Sequence, residues 1–412
     1  MTDFKSFYVE TLGCPKNEVD TRVIYKALID KGLRPSPSKQ AEIIIINSCG
    51  FLQEALKELE ERIAFWQRRK KEILVTGCAV ERLGKNSFKN RNLRAAYIDE
   101  LTGIQKTKHA KQLTLPTKDN QCFCGQSLFH YVKVQEGCSR RCSYCVISKI
   151  RGPLRSRPPV DILDEIKMQY DAGAKEFILI AEDLTLYGVD IGETLEKLLL
   201  KLPEGPWYRL MYLHPHGLNE KVICTIRDTN GILPYLHVPV QHVSERVLKS
   251  MKRAGGRKAV LRSIELIRKY LKGFFVRVDI MVGFPEESDN DFKLLLDFVE
   301  KEQPERISVF KYSHEPGTSS FEFEDLDPEL KEDRFQMAFE VAREVMYRVQ
   351  KRLIGEDILV FKNGNETWSQ FDAPFVDFRV LLPRSTGENF VGKVRITDVR
   401  EDLDVVGMLL KP

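Results

Sequence analysis

No apolar run in this 412-residue chain reaches the length needed to cross a bilayer, so nothing suggests a membrane-spanning helix. The opening Met1-Thr2-Asp3-Phe4-Lys5 does not begin a secretory signal, and there is no low-complexity tract or short repeat. Charge of one sign is also missing. Against 64 Lys and Arg stand 60 Asp and Glu, and a net of +4 argues neither for nor against a nucleic-acid partner. With 42% hydrophobic residues, the length suffices for two or three domains with cores of their own. Cysteine is present: nine residues without a secretion signal indicate metal or redox chemistry in a reducing cytoplasm, not a disulfide framework.

Three of the nine stand in Gly137-Cys138-Ser139-Arg140-Arg141-Cys142-Ser143-Tyr144-Cys145, a C-x₃-C-x₂-C spacing. Three thiolates this close can hold three irons of a [4Fe–4S] cluster, and no fourth ligand lies nearby. One iron is then left open to a small molecule, as at a catalytic metal site. With the aromatic Tyr144 before the last cysteine, this is the pattern of radical S-adenosylmethionine (radical SAM) enzymes. The alternatives are a zinc knuckle, which requires a fourth ligand, or buried structural thiols.

The first hundred residues alternate strand and helix. Strands are expected at 7–13, 43–47, 72–77 and 96–99, and helices at about 18–31 and 51–69. This is the pattern of a doubly wound α/β domain with a parallel sheet. Cys14 ends the first strand, Cys49 lies just past the second and Cys78 ends the third. Parallel strands bring their C-terminal ends to one edge, so three thiols far apart in sequence can meet at one site. Gly13, Gly50 and Gly77 beside them let backbone approach a cluster closely. The alternative to a second three-cysteine cluster is three unrelated buried cysteines.

After a polar connection at about 103–128, six strand–helix units are expected, with strands near 130–136, 176–182, 208–213, 235–241, 275–284 and 306–312. Helical patterns fall near 160–172, 192–202, 218–228, 244–271 and 288–302. Six units make a partial (β/α)₆ barrel, and chemistry belongs at the C-terminal strand ends. Glu182 and Asp183, His214 and His216, Gln241 and His242, and the stretch from Gly283 to Glu287 collect there. Such residues suit a cofactor with an amine, a carboxylate, a ribose and an adenine, though helix capping or a loop role explains each one singly as well. Arg277, inside an otherwise apolar strand, requires a partner in the barrel interior.

The last sixty residues change character. A charged helix at about 329–353 is followed by strand patterns at 357–362, 378–383, 389–398 and 405–410, a small β-barrel. From 351 to 412 there are nine Lys and Arg against ten Asp and Glu, a net of −1, which does not support an RNA surface of the usual basic kind. Trp368, Phe371, Phe375, Phe378 and Phe390 are read as barrel core.

Nearly the whole chain resembles the methylthiotransferase family of radical SAM enzymes. The resemblance rests on Thr11-Leu12-Gly13-Cys14-Pro15-Lys16-Asn17-Glu18-Val19-Asp20, Asn47-Ser48-Cys49-Gly50-Phe51 and Gly77-Cys78, together with the cysteine triad. It continues in Arg151-Gly152-Pro153-Leu154-Arg155-Ser156-Arg157, Val238-Pro239-Val240-Gln241-His242 and Tyr312-Ser313-His314-Glu315-Pro316-Gly317-Thr318. Gly-Cys-Pro-Lys-Asn with Cys-Gly-Phe, and Met211-Tyr212-Leu213-His214-Pro215, look like the ribosomal-protein branch; the tRNA branch has Gly-Cys-Gln-Met-Asn.

The resemblance implies three domains: 1–120 with an auxiliary cluster, 125–350 as the radical SAM domain, and 351–412 as a TRAM barrel. It implies two [4Fe–4S] clusters, one on Cys138, Cys142 and Cys145 and one on Cys14, Cys49 and Cys78. S-adenosyl-L-methionine (SAM) would be held with help from Glu182, Asp183, Gln241, Arg277 and Gly283. The implied reaction adds a methylthio group to the β-carbon of an aspartate of small-subunit ribosomal protein uS12. Cleavage of SAM at the first cluster gives a 5′-deoxyadenosyl radical, the second cluster handles sulfur, and a further SAM donates the methyl group. Flavodoxin or ferredoxin is the expected electron donor, and the cytoplasm the expected compartment. Other readings are a tRNA methylthiotransferase acting beside the anticodon and a non-catalytic Fe–S scaffold. Glu182 stands where the family has Gln, Glu286 where Gly is usual, and no Gly follows Asp377. Cys122 and Cys124 find no place in the scheme, and Cys224 reads as packing.

Overall fold

The computed structural model describes residues 4–89, 93–103 and 127–410; Cys122 and Cys124 lie outside them. The N-terminal sheet contains β1 (Ser6–Thr11), β2 (Arg34–Pro35), β3 (Ile43–Ser48), β4 (Glu72–Gly77) and β5 (Arg94–Ala95), all parallel, in the order β2-β1-β3-β4-β5. Every residue of the apolar β3 is buried, as a central strand covered on both faces requires. The expected strand at 96–99 is a correction. The pairing comes two residues earlier, and a helix starts at Ile98, where Glu100 accepts from the Tyr97 N–H at 3.1 Å. The first helix, Pro15–Asp30, also begins earlier than expected, because Pro15 suits its first turn and makes Cys14 the cap residue.

The central sheet is a six-stranded parallel arc in the order β13-β12-β11-β10-β9-β6. Its strands are β6 (Phe129–Lys133), β9 (Glu176–Ile180), β10 (Trp207–Leu210), β11 (Ile232–His237), β12 (Phe275–Val282) and β13 (Arg306–Lys311). A two-stranded antiparallel ribbon, β7 (Gln135–Glu136) and β8 (Arg155–Ser156), follows β6. Five of the strands stop two to four residues before the expected end, because the chain leaves the ladder at the site. Tyr212 (φ 65°) and Gln241 (φ 68°) take left-handed backbone there, a conformation that concentrates at functional sites. The helix expected over 244–271 is two, Glu245–Ser250 and Gly256–Tyr270, broken where Lys252 (φ 50°) and Gly255 (φ 81°) turn the chain. Glu286, in place of the usual Gly, keeps the left-handed conformation (φ 67°).

The C-terminal segment adds the helix Pro328–Lys351 and a nearly closed barrel ordered β15-β14-β17-β18-β16. Its strands are β14 (Asp357–Asn363), β15 (Glu366–Ser369), β16 (Val380–Leu381), β17 (Asn389–Val399) and β18 (Val405–Leu409). Sequence patterning missed β15, a four-residue strand closed onto β14 by a tight turn at Gly364. This barrel packs against the starts of the central strands. Trp368 packs edge-on against Phe129 at 5.4 Å, and Phe371 stacks on Phe275 at 4.0 Å. These two aromatics therefore serve the interface between the modules.

Buried charge locks that interface. Glu176, fully buried, accepts from Arg209 Nε and from Trp368 Nε1, both at 2.6 Å, while Arg209 also donates to the Ser369 and Gln370 carbonyls at 3.1 Å. Arg306 donates to Asp372 at 2.7 Å. Removing one member of such a pair strands the other charge without water. Glu176→Ala is therefore expected to cost about 3–5 kcal/mol, read as an earlier urea midpoint for the transition that exposes Trp368 to solvent.

Candidate active site

The N-terminal thiols are assembled by loop contact. Cys14 caps the helix after β1, Cys49 follows β3, and Cys78 opens the helix Cys78–Leu83 after β4. A Cβ on Gly13 would fall 2.7 Å from the Cys49 Cβ, and one on Gly50 would fall 2.6 Å from the Cys78 carbonyl. The three loops thus touch at positions where only hydrogen fits. Burial pushes the Cys78 thiol up to about 12 and raises Cys49 as well.

The second triad lies on the loop between β7 and the helix Ile147–Ile150. Gly137 (φ 72°) turns this loop where a Cβ would strike the Gly152 and Pro153 carbonyls, and Cys138 N–H donates to the Gly152 carbonyl at 3.3 Å. Ser143 ties the loop to the helix break, its N–H donating to the Met251 carbonyl and its hydroxyl to the Ser250 carbonyl, both at 2.9 Å. From that break Arg253 reaches back, donating to Cys142 Sγ at 3.8 Å and to the Tyr144 hydroxyl at 3.1 Å. Burial raises Cys138 to about 11 and Cys145 to about 12, so iron must displace protons from these thiols.

Both donor sets suit iron–sulfur ligation. A cluster gives each thiolate its own iron, so the thiols need not meet at a point. Among the described residues no three His, Cys, Asp or Glu side chains close around one ion. Three soft donors in each set would hold three irons of a cluster and would leave the fourth open to a small molecule.

The two triads sit on facing loops. Cys78 packs against Val146 and Ile150, the residues that follow Cys145, and its thiol points to Asn17 Oδ1 at 3.4 Å. Arg151 donates to that same Asn17 oxygen at 2.7 Å, to Asp20 at 2.5 Å and to Glu136 at 2.9 Å. Lys133 pairs with Asp20 and Glu136, each at 2.5 Å. Through Asp20 and Asn17, the two buried cations Lys133 and Arg151 thus bridge the first helix of the N-terminal module to the central module. A second latch is Glu315, which accepts from the Gln53 N–H at 2.8 Å and from Arg82 at 2.6 Å.

The residues that the sequence assigns to the cofactor separate into two groups. Glu182 has both carboxylate oxygens buried without a hydrogen-bond partner, and burial raises its pKa. Gln241 lies on strained backbone past the end of β11. The others are committed within the protein. Asp183 pairs with Arg140 and accepts from the Thr185 hydroxyl at 2.6 Å. Gly283 N–H donates to Glu287 at 3.2 Å, and Lys331 covers its open face. Arg277 is held by Asp377 of the C-terminal barrel and by the Ser308 hydroxyl at 2.5 Å, so its guanidinium is taken up by the interface with that barrel. The interior partner its sequence context required is thus a residue a hundred positions away.

Sequence reasoning missed Arg253, which falls inside the expected long helix, and Lys16 and Tyr212. Lys16, buried, donates to the Ala181 carbonyl at 3.2 Å and lies 3.8 Å above the Tyr212 ring. His214 is held neutral by burial and by the nearby Arg253 and Arg140, and its Nε2 is buried without a partner.

The family model for the Radical SAM superfamily matches residues 132–299, and that for the uncharacterized protein family UPF0004 matches residues 6–99. The radical methyltransferase TsrM of Kitasatospora setae, solved with cobalamin and a [4Fe–4S] cluster, superposes with TM-score 0.59 at 13% identity over 77% of each chain. The radical enzyme OxsB, solved with aqua-cobalamin and SAM, gives 0.50 at 12% identity over 85% of this chain and 58% of that one. These likenesses concern the fold alone. Fold, triad and family match together define a radical SAM enzyme, a class that works with SAM and a [4Fe–4S] cluster. The ribosomal protein uS12 methylthiotransferase RimO of Thermodesulfovibrio yellowstonii is 37% identical over 85% of this chain and 86% of its own length. RimO of Aquifex aeolicus is 35% identical over 97% and 96%, and RimO of Pseudothermotoga lettingae 35% over 98% and 99%. The chain belongs to the RimO family of methylthiotransferases, and it is a transferase.

Proposed function

We propose that this enzyme adds a methylthio group to the β-carbon of an aspartate of ribosomal protein uS12, and that Cys14, Cys49 and Cys78 hold a second [4Fe–4S] cluster as its sulfur centre. The observation that carries this reading is the packing of Cys78 against Val146 and Ile150 beside Cys145. That contact brings the Cys78 loop against the chain that follows Cys145, which supports a site where sulfur and an activated carbon meet. Cys138, Cys142 and Cys145 would hold the first cluster, which with SAM supplies a 5′-deoxyadenosyl radical able to take hydrogen from an unactivated carbon.

The protein's own residues position and seal this space. Arg253 steadies the Cys142 sulfur by its N–H, and the Arg140–Asp183 pair fixes the loop against the end of β9. Glu182, with its free acceptors, suits the amine or ribose of SAM. The Lys133–Asp20–Arg151–Glu136 network ties the first helix of the N-terminal module to the central module. On this reading the chain divides functionally into 1–120, 125–350 and a TRAM barrel at 351–412, takes electrons from a flavodoxin or ferredoxin, and works in the cytoplasm. No helix among the described residues is long and apolar enough to cross a membrane.

A tRNA substrate is less well supported, since Trp368 and Phe371 of the C-terminal barrel are taken up by the central arc. The test is the intact mass of uS12 from cells with and without the gene. Loss of one methylthio group in the deletion, restored by the wild type, is the expected result. An unchanged mass, with a methylthio nucleoside missing from tRNA, would move the assignment to RNA.

A further inference from the structure

Unlike the other buried cations that join the two modules, Lys16 has no carboxylate partner among the described residues. Lys133 and Arg151 each pair with both Asp20 and Glu136. Arg140 pairs with Asp183. Lys16 is 8% exposed, and no described carboxylate oxygen lies within 4.0 Å of its ammonium. Its contacts are one carbonyl, that of Ala181 at 3.2 Å, and the face of Tyr212 at 3.8 Å. An ammonium has three donors, and a buried cation lacking a direct counter-ion is costly. The Tyr212 ring that supports it is held on left-handed backbone (φ 65°), a second local cost that only surrounding structure or function sustains.

The position matters as much as the missing partner. Lys16 follows Cys14 by two residues, yet it crosses from the N-terminal sheet to the end of β9. There it meets the carbonyl of Ala181, two residues before the Asp183 that pairs with Arg140 of the second triad's loop. The ammonium thus reaches from the loop of Cys14 to the strand end beside the second triad. An attacked β-carbon must lie in the same space, and in an aspartate the carboxylate is bonded directly to that carbon.

We propose that Lys16, seated on Tyr212, is the binding site for the side-chain carboxylate of the substrate aspartate and selects an acidic residue over its amide. The assignment rests on the aspartate-modifying function proposed above. Anchoring the carboxylate fixes the carbon one bond away, so one contact provides both selectivity and position. A site built around a charge also rejects a neutral isostere, because the buried ammonium is then left without its partner.

The test measures binding of purified uS12, carrying either the native aspartate or asparagine at the target position, to the anaerobically reconstituted holoenzyme. The wild type is expected to hold the aspartate form about tenfold or more tighter. Lys16→Met is expected to bring the two forms within about twofold of each other, and Lys16→Arg to keep most of the preference. Iron and sulfide content, measured on each variant, shows that the clusters are in place. Equal binding of the two forms by the wild type overturns the assignment even if no variant folds. So does an unchanged preference in Lys16→Met, which would make Lys16 only a counter-charge to its surroundings. Binding of neither form by the wild type overturns the uS12 reading itself, and the Lys16 assignment with it.

Discussion

Cys142→Ala is expected to lose reductive cleavage of SAM, with 5′-deoxyadenosine and methionine falling to background after reduction by dithionite. Cys142 is the middle thiol of its loop, and Arg253 donates to its sulfur from the break between two helices. Without it, Cys138 and Cys145 offer only two thiolates, too few to hold three irons of a cluster. Disturbing even the outer partners of a metal ligand costs about 10–100-fold, so loss of the ligand itself should exceed that range. The alanine removes little packing from a half-exposed position, so the fold should persist. Chromatography of the products, with iron content alongside, decides the point. Sustained 5′-deoxyadenosine formation in this variant would exclude the loop as the site of SAM cleavage.

Cys78→Ala should have a different signature. The N-terminal triad is proposed to handle sulfur, not to cleave SAM, so this variant should still form 5′-deoxyadenosine while yielding no methylthiolated uS12. Cys78 touches Val146 and Ile150, so the substitution also trims a small apolar contact between the two loops. Loss of one thiol's volume is worth on the order of 1 kcal/mol, too little to separate elements that the two ion pairs to Asp20 and the Glu315 latch hold together. The measurement is the ratio of 5′-deoxyadenosine to modified protein, followed by mass spectrometry of uS12. A wild-type ratio in Cys78→Ala would refute the second cluster. Parallel loss of both products would instead show that the two triads do not work independently.

Chemistry that depends on short spacing is legible in the order of the amino acids alone. C-x₃-C-x₂-C places three thiols within one loop whatever surrounds them, and the alternating apolar runs lead to the parallel sheets. Convergence of Cys14, Cys49 and Cys78 is inferable because parallel strands must end along one edge. Its physical form, Gly13 and Gly50 pressed against the neighbouring cysteine loops, is a matter of contact distance. Apolar patterning overextends the strand ends, since residues such as Leu213 and Val240 remain apolar and buried after the chain has left the ladder.

What the sequence does not reveal is the partner of each buried charge. Arg277 calls for a counter-ion, but Asp377 lies in another module, and nothing local distinguishes it from other acids. Arg253 reads as one cation of an amphipathic helix, whereas the turn at Lys252 and Gly255 swings it onto Cys142. Lys16 reads as part of a loop motif, and only the docking of two sheets buries its ammonium over Tyr212. The sequence by itself determined the elements, the three-thiol spacing of the central loop and the kind of chemistry, because these depend on covalent spacing and on local periodicity. The tertiary structure decided which charges face one another and which are left without a partner, because burial and pairing depend on residues that meet only after the chain has folded.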